Sequence, residues 1–579
     1  NYPVLIDDGS PGARENIGRF VRAFAPRRVV RFSAPSDVPW SDAPAARQTA
    51  VEAALARVWG APRFGELAGA LRAGRGCAGA VIASANDPAW TGALALAAGH
   101  GQPLVWVSAP AADPGANLPM DQAMALSGQI TALLTSLGWK FDALGDEIDA
   151  LTLALNLPVR VEYAPPPQPL APSRLGPFVP KPGEALALAD VIGRETGRAR
   201  MARWAWCAHA PGNEAEAAYR AMSALFLRPR SALLFDGYES NEPWVRYDMT
   251  AAAKPLTAAG LAVDLWDTPR QGLGDWQKMA SRPVNAGLFM LNSHGQHWNF
   301  NLTPGQGRVG DVPVFGTPAA VSVVHSWSAW SPANAATVAG RFLLHGAFAY
   351  VGSVHEPFLQ AFVPTPQLTA RLASGLPLAA AARVEDGPPW RITVIGDALF
   401  NLGPDAPRAE APLPLAGAAD LRAEVPEKGV APEIIWSLVM LGDDRAALLR
   451  FSAGPDAAKE SGAAAAAMAA FRLGDGDAQW QATRQARALA DSFPSMRDAL
   501  WLALRPRFRA LPRERVALLA AMIRPEQPGR DAGEVYDMIA RTDGKPAALA
   551  VLKKLREQAA TDTARTELDQ LIQANTPRP

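Results

Sequence analysis

Over the first 162 residues, short apolar runs alternate with longer segments in which apolar residues return every third or fourth position. Residues 2–6, 28–32, 78–83 and 103–107 read as strands. Residues 14–24, 45–59, 64–73, the Ala-rich 91–99 and 120–139 read as helices. Strands spaced by helices of this length predict a parallel sheet covered on both faces. The run Ala164-Pro165-Pro166-Pro167-Gln168-Pro169 then ends regular structure. Beyond it the strand pattern resumes at residues 231–235, 262–266, 286–291, 319–324, 347–351 and 390–395. After Pro432 only the helical period remains, in 434–441, 481–489, 497–504, 515–522 and 547–555.

The expected organisation is an α/β domain over 1–163, a Pro-rich linker over 164–185, a second α/β domain over 186–403, a connector over 404–432 and an α-helical, solenoid-like domain over 433–579.

Composition narrows the function. The chain has 579 residues, 49% of them hydrophobic and 19% charged, with Lys+Arg and Asp+Glu equal at 56. A balanced chain without a basic block lacks the electrostatic footprint of a nucleic-acid binder. No apolar run reaches the ~18 residues of a membrane helix. A strand-like start without Met is expected of an exported protein whose signal peptide has been removed, so a secreted, periplasmic or cell-surface location is expected. The two cysteines, Cys77 and Cys207, cannot build a disulfide framework and are expected to be unbonded. Neither "DDGSPG" nor "GQGRVG" leads into the Lys-Ser/Thr helix of a phosphate loop, and no cofactor is expected.

The candidate chemistry lies where predicted strands end, the edge at which open α/β sheets hold ligands. Three such ends are Asn292-Ser293-His294-Gly295-Gln296-His297-Trp298, His325-Ser326-Trp327-Ser328-Ala329-Trp330 and Ser353-Val354-His355-Glu356. Five of the seven histidines, His294, His297, His325, His345 and His355, fall in this region. His294-x-x-His297 is the only spacing that suggests a metal, a minor alternative since zinc needs three or four ligands. Trp298, Trp327 and Trp330, with His325, His355 and Glu356, are candidates to line a cleft or a protein interface.

The strings "GLFMLNSHG", "AAVSVVHSWSAW", "GAFAYVGSVHEPFLQAF" and "WRITVIGDALFNL" resemble the core of the caspase and gingipain group of cysteine peptidases over residues 190–403. In that group an apolar strand ends in His-Gly and the next core strand ends in the nucleophilic Cys. The resemblance therefore implies a caspase/gingipain-like parallel core with His294 and Gly295 at the first motif. At the second motif the sequence offers Ser326, or Ser328 in a shifted register, and no Cys. A serine is a far weaker acid than a thiol and needs a base in contact. The expectation is a degenerate peptidase-like module that binds a protein partner or joins a larger assembly. The alternative is a serine-type hydrolase in which Ser326 attacks, His294 is base and acid, and the Gly295 amide holds the oxyanion, with Asp236 or Asp397 left to orient the imidazole. The N-terminal strings "PVLI", "RRVVRF" and "AVIASANDPAWTGALALAAGHGQPLVWV" resemble, in rhythm, the cell-wall-binding repeats of secreted bacterial proteins.

Overall fold

Apolar runs without polar alternation belong where both faces of a sheet are covered. A computed structural model describes the protein except residues 1, 33–42, 75, 166–178, 195–201, 385–386, 404–416, 427–430, 455–459, 560 and 577–579; most of the expected connector lies outside the described residues. Ten strands form one sheet: β1 Ala78–Ala83, β2 Leu104–Trp106, β3 Ile148–Ala154, β4 Trp206–His209, β5 Ser231–Asp236, β6 Ala262–Trp266, β7 Leu288–Asn292, β8 Ala319–Val324, β9 Ala347–Ser353 and β10 Ile392–Ile395. Their order is β6-β5-β7-β8-β9-β10-β4-β3-β1-β2. Every residue of β7, β8 and β9 is buried, as their sequences demand. The edge strand β6 carries only exposed and half-buried residues.

The first five strands in that order run parallel. So do the last five. The two blocks meet in one antiparallel ladder, in which Tyr350 faces Ile395 and Ser353 faces Ile392 of β10. The protein thus forms one α/β unit where the sequence suggests two. The expected Pro-rich linker lies largely outside the described residues, at 166–178, and the fold continues on both sides of it: Arg160–Glu162 pairs antiparallel with Ala185–Ala187. Two further expectations change. Residues 2–6 join no strand, and the Val4 amide meets the Met222 sulfur at 3.4 Å. The expected strand at 28–32 shrinks to Val30–Arg31, paired with Ala419–Asp420 outside the large sheet.

Helices pack on the sheet through small residues. The helix Trp90–His100 lies so close to Glu214–Phe226 that a Cβ on Gly92 would come 2.9 Å from the Ala217 carbonyl. Its Ala- and Gly-rich sequence is what permits that approach. The Glu214 helix begins with a capping box, Asn213 and Glu216 each satisfying the other's backbone amide.

Beside β10 and β4 sits a buried ionic hub. Asp190 takes Arg383 at 2.7 Å, Arg203 at 2.5 Å and Arg194 at 3.5 Å, and accepts the Trp390 amide at 2.6 Å. Arg383 also donates to the Cys207 carbonyl in β4 at 3.1 Å. Burial alone would raise the Asp190 carboxyl, but the three guanidinium charges outweigh it and hold it well below the usual range.

The second unit comprises Leu273–Val284, Gln306–Gly316 and Leu421–Pro579, and its helices from Pro432–Met440 to Asp562–Asn575 follow one another with short turns. Among the described residues after 432 no strand occurs, in line with the helical reading of the sequence. Two segments of the expected middle domain therefore belong to the helical unit. Asp311 explains how: its carboxylate meets Arg505 and, at 2.7 Å, Arg530, while its carbonyl accepts the Trp276 indole at 2.7 Å. Arg524, fully buried, spans Asp531 at 2.7 and 2.8 Å and reaches the Gly310 carbonyl. No helix among the described residues is long and apolar enough to cross a membrane.

Two outcomes follow for stability. Asp190→Ala strands buried guanidinium charges and is expected to cost about 3–5 kcal/mol, read by urea denaturation. His100, at the end of its helix, binds Asp397 at 2.7 Å. Burial pulls the imidazole down, but the Asp397 charge and hydrogen bond prevail and its pKa is raised. A raised folded-state value stabilises fully below the unfolded pKa and is lost as pH rises through the folded one. The stability gap between wild type and His100→Gln should therefore shrink as pH rises from about 6 through the raised folded-state value, measured by denaturant midpoints across that rise.

Candidate functional site

The backbone runs outward along β5, crosses to β6 at the sheet edge and returns to β7 on the other side of β5. Open α/β sheets bind ligands at such a reversal, outside the strands' C-terminal ends. Asp236 ends β5 there, followed by Gly237 and Tyr238, and Asn292 ends β7, followed by Ser293 and His294. Asn292 clamps the place, donating to the Tyr247 carbonyl at 2.6 Å and accepting from the Thr365 hydroxyl at 3.1 Å. Asp236 accepts the Tyr238 and Met249 amides, each at 3.1 Å. Burial, only partly opposed by these donors, brings its carboxyl up to about 6.

After β7 the backbone folds into a hairpin in which His294–Gln296 pairs with Asn299–Asn301. The His294 ring lies 4.7 Å from that of Tyr238 and edge-on to Trp244 at 4.3 Å. Burial lowers its pKa against the pull of Glu239, so the imidazole is neutral near pH 7. Gly295 has φ 147°, and a Cβ there would sit 2.5 Å from the Asn299 carbonyl oxygen and 2.7 Å from the His325 ring.

β7 and β8 are parallel neighbours, Asn292 opposite Val324, and the Ser293 amide extends the ladder to the Val324 carbonyl at 3.1 Å. His294 and Ser326 thus follow adjacent strand ends, as expected. Their side chains do not pair: among the described residues no hydrogen bond joins them. The serine that meets an imidazole is Ser293, whose Oγ lies 2.8 Å from Nδ1 of His325. His325 Nε2 is 3.1 Å from the Gln296 carbonyl. A carbonyl only accepts, so Nε2 carries the hydrogen and Nδ1 accepts from the Ser293 hydroxyl. Burial pushes His325 down to about 3, which keeps it neutral. The connectivity is that of a serine–histidine pair with a backbone carbonyl in place of the orienting acid. Both residues are 1% exposed, so the pair is sealed from solvent and fastens the hairpin to β8.

The remaining sequence candidates separate. Ser328 is buried and accepts the Ser353 amide at 3.3 Å. Asp397 follows β10, whose antiparallel direction puts it at the other edge of the sheet from His294, where His100 binds it. Asp397 therefore cannot orient His294. His345 precedes β9 and is likewise at that other edge. His294 and His297 have different ring neighbours, and no group of three His, Cys, Asp or Glu among the described residues can hold a metal. Glu356 caps its own turn, accepting the Phe358 amide at 3.2 Å.

Two of the aromatic candidates, Trp327 and Trp330, do converge, together with His297 and His355. Trp327, in the left-handed region at φ 64°, lies tilted against His355 with centroids 3.8 Å apart and against Trp330 at 5.1 Å. His297 stacks on Trp330 at 5.9 Å, and next to it Trp298 is 38% exposed. Burial takes His355 down to about 4, aided by Arg391, and lowers His297. Sequence reasoning missed Tyr238, Trp244 and Ser293 as partners of the two histidines, and missed Arg160, whose guanidinium lies 3.4 Å over the Trp330 ring. A charged residue inside the apolar "LPVRVEY" was the one available signal for Arg160.

Cys77 and Cys207 are both free. Cys77 immediately precedes β1 and Cys207 lies in β4, with β3 between those two strands of one sheet, so they do not belong to separate domains. Burial raises both thiols, to about 11 and about 12. No family model, no curated protein and no solved structure matches this sequence.

Gly295→Ala should displace the hairpin and destabilise by about 1–3 kcal/mol. Gly128→Ala, on an open face of the helix Met120–Ser136, should instead stabilise by about 0.5–1 kcal/mol. Thermal unfolding of the two variants checks the contrast.

Proposed function

We propose that this protein is a peptidase-like fold without peptidase chemistry, acting as a protein-binding module through the aromatic wall of Trp298, Trp327 and Trp330. The observation that carries the reading is the fate of the two strand-end imidazoles. His325 is sealed against Ser293, and His294 is held by Tyr238 and Trp244, so neither serves an exposed nucleophile. In the caspase and gingipain group a thiolate does the chemistry, and both thiols of this protein are held protonated, Cys77 beside β1 and Cys207 within β4. A neutral, half-exposed cluster of large rings is the kind of surface proteins use as an interface anchor.

One observation favours the serine-hydrolase alternative. Ser326 is half-buried, and Trp327 beside it adopts a backbone conformation that costs a bulky residue about 1–3 kcal/mol and is typical of functional turns. For that reading His294 must swing from its aromatic seat to within ~2.6–3.2 Å of Ser326.

Fluorophosphonate labelling with peptide mapping separates the two. The expected result is no modification of Ser326 or Ser293. Stoichiometric labelling at Ser326, lost in both Ser326→Ala and His294→Ala, would falsify the non-catalytic reading.

A further inference from the structure

Arg160 is a buried cation that has no counterion among the described residues. It lies on the strand Arg160–Glu162 and is 3% exposed. Its Nη2 donates to the carbonyls of Gly115 and, at 3.3 Å, Ala116. Its Nε is buried without a hydrogen-bond partner. No carboxylate among the described residues forms an ion pair with it, and residues 166–178, further along the same stretch, contain no Asp or Glu. Burial, with no acid to oppose it, lowers its pKa to about 10, so it remains charged near neutral pH. The contrast with Asp190, surrounded by three arginines, is plain.

Buried charges in proteins are paired or hold a ligand. The Arg160 guanidinium lies on the Trp330 face, and the other rings at Trp330 are half-exposed: Trp327, His297 and His355. His355 Nδ1 is also buried without a partner. Arg391, the neighbouring cation, is by contrast engaged with Glu184. The guanidinium therefore lies directly against the half-exposed cluster of Trp330, Trp327, His297 and His355.

We infer that Arg160, lying on Trp330 beside His297 and His355, forms a subsite for a carboxylate of a peptide bound at the aromatic wall. The inference rests on the binding-module reading and adds the chemistry of what is bound. Arg160 also lies outside residues 190–403, the stretch that resembles the peptidases. The carboxylate comes from the C-terminus of the peptide or from an Asp or Glu side chain, and the test distinguishes these sources.

The experiment is calorimetric titration of the full-length protein with three probes: acetyl-Ala-Ala with a free C-terminal carboxylate, the same dipeptide as its amide, and acetyl-Ala-Glu-amide. One of the two acids is expected to saturate with a dissociation constant near the millimolar range, about tenfold or more below that of the neutral amide. The acid that binds identifies the source. Arg160→Met should abolish the preference. Arg160→Lys keeps the charge but loses the planar fork, and should weaken the acid several-fold while leaving the amide unchanged. Equal binding of acid and amide, no saturation by about 10 mM, or a preference that survives in folded Arg160→Met overturns the inference. Should Arg160→Met fail to fold, unchanged acid binding by Arg160→Lys overturns it. Loss of the carboxylate preference alone leaves the binding-module reading standing, whereas fluorophosphonate labelling at Ser326 removes that reading itself.

Discussion

One antiparallel ladder, between β9 and β10, sets the geometry of the α/β unit. Parallel strands present all their C-terminal ends on one edge, so a wholly parallel ten-stranded sheet would have had a single functional edge. Reversing direction once divides the ends between two. β7, β8 and β9 deliver His294, His325 and His355 to one edge, and β10 delivers Asp397 to the other. An acid and a base that look complementary in the sequence are thereby kept apart.

At the histidine edge, burial decides the electrostatics. All four imidazoles there are shifted downward, His325 to about 3 and His355 to about 4. Near neutral pH they behave as polar aromatic rings. Positive charge at this edge comes from guanidinium groups, Arg160 and Arg391, which stay ionised when buried where an imidazole does not. The protein uses the same preference at Asp190 and Asp311, where arginines secure buried carboxylates. These positions hold local structure together through charge-assisted hydrogen bonds that an apolar core does not offer.

Much of the strand content was legible because burial on both faces forces continuous apolar sequence, and residues 319–324 carry that signature without interruption. The C-terminal helices were legible from their period. Strand partners were not, since an apolar strand bears no mark of which neighbour it takes, and β4 meets β10 only through long-range closure. The Pro-rich stretch misled for a related reason: proline removes backbone donors locally but does not prevent the residues on either side from pairing. At the candidate site the position of His294 beside the β8 end could be read from register. Its neighbours could not. Tyr238 and Trp244 arrive from the loop after β5, and the alternation of side chains that separates His325 from Ser326 gives no hint that Ser293 is the partner.

The pairing of His209 with Ile395 also bears on how the protein is made. A ribosome releases β4 long before β10, and at about 5–20 residues per second the interval is on the order of ten seconds or more. Throughout it, the block of strands ending in β4 has an open, apolar border with nothing to close it. Such a border is the kind of surface that chaperones shield and that drives intermolecular strand pairing when they do not. Truncations placed after β4 and before residue 392 would make that exposure permanent. The yield of soluble protein should therefore depend on β10 being present, even though it is only four residues long.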